Sequence, residues 1–108
     1  MNMDSCDFCT YPKNECACNK MNELSSLFKI VAEKNRLKLM CLLRQQELCV
    51  SALQPIVKLE QSLISHHLAD LREANLVVDK KHGQRVYYRL TKFGDQLMKL
   101  FFEIDLTT

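Results

Sequence analysis

A chain of 108 residues with 47% hydrophobic content is sized for one domain with a modest core. Its longest apolar run, Leu39 to Leu43, is far too short to span a bilayer, and its first twenty residues are polar and Cys-rich, unlike a secretory signal; a cytoplasmic protein with no membrane partner is expected. The formal net charge is only +2, yet Lys80 to Lys92 holds five bases and no acid, while residues 1–20 set Asp4, Asp7 and Glu15 against Lys13 and Lys20.

Residues 1–20 read as an irregular, Cys-rich extension, with turn formers at Tyr11-Pro12 and Asn14. Residues 21–108 read as the folded domain. A first helix is predicted over Met21 to Glu33, where Leu24, Leu27, Phe28 and Val31 form one stripe. A second, over Asn35 to Gln45, is apolar nearly all round and should be buried on several sides. A short third helix is expected from Ser51 to Val57, with Ser51 as N-cap and Pro55 in the first turn. The fourth spans Gln61 to Ala74. Its Leu63 or Ile64, with Leu68 and Leu71, should face the core, and Asn75 suits the left-handed residue that ends it.

Leu76 to Lys81 and Arg85 to Leu90 read as two strands joined by His82-Gly83-Gln84. A last helix, Lys92 to Asp105, carries Phe93, Leu97, Leu100, Phe101 and Ile104 on one stripe, widened by Met98 and Phe102. That is more apolar surface than one small domain needs, so a homodimer is expected, with helical dimerisation elements at both ends of the domain. The fold class is mainly α with a small β-hairpin: a winged helix-turn-helix.

A polar helix followed at once by a basic hairpin is a device for reading DNA. Gln61, Ser62, Ser65 and His66 are the candidates for the major groove, since Gln pairs bidentately with adenine and Ser serves donors or acceptors. Lys80, Lys81, Arg85 and Arg89 are the candidates for phosphate contacts, though strand alternation should turn only some of them to the DNA. His67 is expected to be structural. Adjacent His66 and His67 point about 100° apart on a helix and so make a poor metal pair. No phosphate loop and no paired nucleophile and base are present, so an enzyme is not expected.

Four of the six cysteines, Cys6, Cys9, Cys16 and Cys18, lie within thirteen residues. In a cytosolic chain such a cluster suits a metal better than disulfides, and thiolates favour Zn²⁺, Cd²⁺ or Cu(I). A compact zinc-ribbon module that binds protein is the alternative from a different class. It would lack a steep salt dependence on DNA.

Several stretches together resemble the ArsR/SmtB family of bacterial metal-responsive repressors. LFKIVAEKNRLKLMCLL is similar to the family's first two helices, ELCVSAL at 47–53 to its metal box ELCVCDL, QSLISHHLADLREANLV to its recognition helix, and RVYYRLT to its second wing strand. The resemblance covers about Leu27 to Gly94. It implies a repressor of double-stranded, palindromic operator DNA that a thiophilic ion (Zn, Cd, Pb or As(III)) releases. It also implies a regulatory site in which N-terminal cysteines join Cys49, against the alternative of a self-contained structural site. Ser51 stands where the metal box has its second Cys, Ala52 where it has Asp, Lys58 where the turn has Gly, and Glu60 where it has Ser. The last helix lacks the His of the interfacial zinc site found in some members. Cys41, otherwise an inert core thiol, resembles a position used by redox- and sulfur-sensing relatives, which pair it with a last-helix Cys absent here.

Overall fold

The computed structural model describes residues 20–107. Among them run α1 (Met21–Val31), α2 (Lys34–Gln45), β1 (Leu48–Cys49), α3 (Val50–Val57), α4 (Gln61–Glu73), β2 (Val77–His82), β3 (Arg85–Leu90) and α5 (Lys92–Phe102). The strands form one antiparallel sheet in the order β1-β3-β2. No described helix is long and apolar enough to cross a membrane.

The core lies where α4 meets α2, α3 and β2. Ile64, Leu68 and Leu71 of α4 close on Leu39, Met40, Leu53 and Leu76, none of them measurably exposed. Burying each such side chain contributes about 1.5–3 kcal/mol. Ile64, rather than Leu63, is the inward residue. The α4 helix stops at a residue with positive φ, Asn75 (62°), as its sequence predicts.

Five details depart from expectation. The hairpin has a third strand, β1, which pairs Leu48 with Tyr88 and Cys49 with Tyr87. That pairing holds Cys49 extended, so α3 starts at Val50 with Cys49, not Ser51, as its N-cap. Pro55 is therefore the sixth residue of α3 and outside its first turn; the Ser51 carbonyl that loses a partner lies at the exposed start of the helix. His82 belongs to β2, which leaves Gly83-Gln84 as the turn, and Gly83 supplies the positive φ (64°) such a tight hairpin needs. The last helix ends at Phe102 rather than Asp105. Beyond it the chain finds no core to cover, and Glu103 and Ile104 close the end with i→i+3 bonds to Leu100 and Phe101. Its inward anchor is Met98, while Leu97 and Phe101 are half-buried and Phe93, Leu100, Phe102 and Ile104 are exposed. In α1, similarly, only Val31 is buried, and Leu24 and Phe28 face outward.

Two backbone positions in the described fold make opposite demands on side-chain size. Lys58, between α3 and α4, sits at φ 57°, ψ 44°, where a Cβ is strained. Gly94, in the first turn of α5, lies against Leu76; a Cβ there would fall 2.4 Å from the Leu76 carbonyl oxygen. Lys58→Gly should therefore stabilise the fold by roughly 0.5–1 kcal/mol, after the added freedom of the unfolded chain is set against relief of strain. Gly94→Ala should destabilise it by about 1–3 kcal/mol through overpacking. Denaturant titration of both variants checks the two signs.

Candidate nucleic-acid interface and thiol site

Helix α4 presents Gln61, Ser62, Ser65 and His66 to solvent, all four exposed. The same helical turn that sends them out sends Ile64, His67 and Leu68 in. Glu60 is the N-cap but its side chain caps nothing; its carbonyl accepts from the N–H groups of Leu63 and Ile64.

His67 is the buried polar residue of this helix, 7% exposed. Arg36 of α2 donates from Nε to His67 Nδ1 at 3.1 Å, which puts the His67 proton on Nε2, facing Glu33 at 3.6 Å. Arg36 also donates to the Ile30 carbonyl and to the Asp70 carboxylate. Glu33 caps α2 by accepting the Arg36 N–H at 3.1 Å. Arg36 and Asp70 thus fasten α4 to α2. Sequence reading missed both: the two lie 34 residues apart, and each alone looks like a solvated charge.

The hairpin register sorts the basic residues. Directly opposed residues share a face of the sheet, and faces alternate along a strand. Val77, Tyr88 and Leu90 pack on the core, so that face also carries Asp79, Lys81 and Val86. Asp79 there meets Arg72 of α4 at 3.3 Å. The opposite, outer face carries Lys80, Arg85 and Arg89 with Val78, His82 and Tyr87. Of the four predicted phosphate-binding residues, three share a face and Lys81 is on the other. Tyr87 packs edge-on against His82, ring centroids 5.6 Å apart.

Cys49, paired with Tyr87, stands on that same outer face. It is also the N-cap of α3 and only 7% exposed. Its sulfur lies 3.1 Å from the Ser51 hydroxyl. That hydroxyl, then the Ala52 backbone N–H, hold the thiol below its ordinary range; burial opposes them, and the charge of Arg85 assists them. A single sulfur at a helix N-terminus, once deprotonated, suits a soft cation as one donor. Among the described residues no group of three or more potential ligands gathers. Cys6, Cys9, Cys16 and Cys18 lie outside the described residues. Cys41 is half-buried on α2 against the core. The Cys49 thiolate should form at lower pH than an ordinary thiol, and Ser51→Ala should move its titration upward. Alkylation of Cys49 followed by mass spectrometry across pH measures both; equal midpoints in the two proteins would refute the role given to Ser51.

Comparison with known proteins agrees with this geometry. The profile of the family described as bacterial regulatory protein, arsR family, matches residues 33–78. The arsenic resistance transcriptional regulator ArsR1 of Pseudomonas putida is 46% identical over 65 residues, 59% of this chain and 51% of that protein. The chain thus spans about half the length of this curated relative. The crystal structure of the transcriptional regulator HlyU from Vibrio vulnificus superposes with a TM-score of 0.69 at 36% identity, covering 80% of this chain and 91% of that one. The homodimeric winged helix-turn-helix DNA-binding domain of Mb0332 from Mycobacterium bovis gives a TM-score of 0.71 at 26% identity, covering 76% and 77%. The chain belongs to the arsR family of bacterial regulatory proteins, which are winged-helix, DNA-binding regulators of transcription and not enzymes.

Proposed function

We propose that the chain is a dimeric repressor that binds palindromic operator DNA and leaves it when a thiophilic metal or metalloid ion binds at its cysteines. The observations that carry the DNA half are the exposed polar side of α4 and the basic outer face of the wing. Gln61, Ser62, Ser65 and His66 would meet base edges and nearby phosphates, and Lys80, Arg85 and Arg89 would supply most of the salt-dependent attraction. Lys81, on the other face, would contribute less. The uncovered apolar faces of α1 and α5, with Phe28 and Leu100 among their exposed residues, would take the second copy. The homodimeric Mycobacterium bovis domain supports the presence of a second copy.

Release rests on the donor chemistry of Cys49 and on the arsenic-resistance role named for the Pseudomonas putida relative. Cys49, together with two or three of Cys6, Cys9, Cys16 and Cys18, would hold Zn, Cd, Pb or As(III). The bound ion would supply a crosslink between residues 6–18 and the start of α3. It can lower operator affinity only through a higher affinity for the DNA-free state. A thiol-based redox or sulfur-species sensor is the second reading, favoured by Cys41 only insofar as its thiol is half-buried rather than sealed.

Operator binding by the reduced protein should weaken with stoichiometric addition of one of these ions and recover on chelation. Cys49→Ser should blunt that response while leaving metal-free binding intact. An equal response in Cys49→Ser would place the site wholly within residues 6–18; loss of binding only after oxidation would favour the redox reading. Lys80→Ala should reduce the salt slope of DNA binding by about 1, and Lys81→Ala by less. Equal slopes for the two variants would contradict the facial assignment.

A further inference from the structure

We infer that Asp70 is a positioning residue for base reading: it orients His66 on the DNA face, and Arg36 holds it in place from α2. This rests on the reading that the exposed side of α4 meets DNA. One carboxylate oxygen, Oδ2 of Asp70, faces both partners: it accepts from Arg36 Nη2 and lies 3.4 Å from His66 Nε2. The imidazole of His66 is largely exposed, whereas the Arg36 side chain is only 14% exposed. His66 and Asp70 are one turn apart on α4, the spacing at which side chains meet.

Arg36 is itself immobilised. It lies against His67 Nδ1 and the Ile30 carbonyl, so its guanidinium has a fixed direction and Asp70 has little freedom. A bare carboxylate beside phosphates would repel them; paired with Arg36 it is close to neutral as seen from the DNA. What remains is a fixed acceptor beside an exposed imidazole. Restricting His66 before binding lowers the entropy lost when it docks, and favours one orientation at a base edge.

The discriminating experiment is selection from a randomised 30-base-pair duplex pool, with sequencing, by wild type, His66→Ala, Asp70→Asn and the double variant. Thermal unfolding confirms that each is folded. Asp70→Glu, which keeps the charge that Arg36 needs but moves the carboxylate by one methylene, replaces Asp70→Asn if the latter does not fold. His66→Ala should lose base preference at particular positions. Asp70→Asn should lose at least fivefold in preference at those same positions, and the double variant should lose no more there than His66→Ala alone. A carboxylate with only a structural role would weaken all positions alike, or add fully to His66→Ala, and either result overturns the inference while leaving the reading of α4 in place. If His66→Ala selects the wild-type sequence unchanged, the assignment of His66 to DNA fails and the inference fails with it.

Discussion

Burial of one stripe of α4 is the constraint on which the rest of the domain depends. Ile64, Leu68 and Leu71 are fully enclosed, and α2, α3 and β2 are the surfaces that enclose them. A helix cannot choose its two faces separately. Once these residues point inward, Gln61, Ser62, Ser65 and His66 must point outward, about 100° per residue around the axis. The exposed polar surface of α4 is thus oriented by apolar burial, not by its own polar chemistry. His67 lies at the seam between the two faces. Its ring is sealed from water, so its Nδ1 needs a donor, and Arg36 supplies one. The same arginine then meets Asp70, which turns a local need for a hydrogen bond into a rigid joint between α2 and α4.

Parity does for the wing what helical phase does for α4. Val77, Tyr88 and Leu90 lie against the core, and this settles the facing of every other residue in β2 and β3. A slip of one residue in β3 would turn Arg85 and Arg89 inward and Val86 and Leu90 out. Gly83 guards against it, because a two-residue turn with positive φ at its first position leaves a single pairing of His82 with Arg85. Arg72 and Asp79 join α4 to the core-side face of the wing, but both are well exposed and the pair adds little stability. The wing is held to α4 chiefly by burial of Leu76 and Val77.

The parts of this structure that were legible in the sequence are those with a long periodic signal. The extent of β3, the outward set on α4, and Asn75 as its end all follow from alternation, helical phase and turn chemistry. The parts that were not legible depend on contacts distant in sequence. Strand β1 is two residues long, too short to show any period, and exists because β3, some forty residues later, offers it an edge. Its formation also explains why Ser51 does not cap α3. The length of α5 was overestimated because apolar spacing continues to Ile104 while the core beneath it stops near Phe101. The charged joint of Arg36 and Asp70 left no pattern at all, since isolated charges on amphipathic helices ordinarily face water.

Cys49 joins these threads at one residue. It ends β1, caps α3, and stands opposite Tyr87 on the sheet face that carries Lys80, Arg85 and Arg89. The features that depress its thiol come from both sides: Ser51 and Ala52 from α3, Arg85 from the wing. A change of state at this sulfur is therefore felt by the entry to the helix-turn-helix and by a candidate phosphate-binding arginine at once. Arg85 cannot serve a thiolate and a phosphate with the same strength, because each partially neutralises the charge the other would use. In the proposed site a divalent or trivalent ion held by three or four thiolates forms a complex that is neutral or negative, so it would bring no added positive charge to the wing. In the proposed mechanism, release would then come from the charge of that complex acting together with movement of α3 or β1 against β3. The two-residue strand, with few hydrogen bonds to hold it, is the element of the described fold with the least to lose by such a movement.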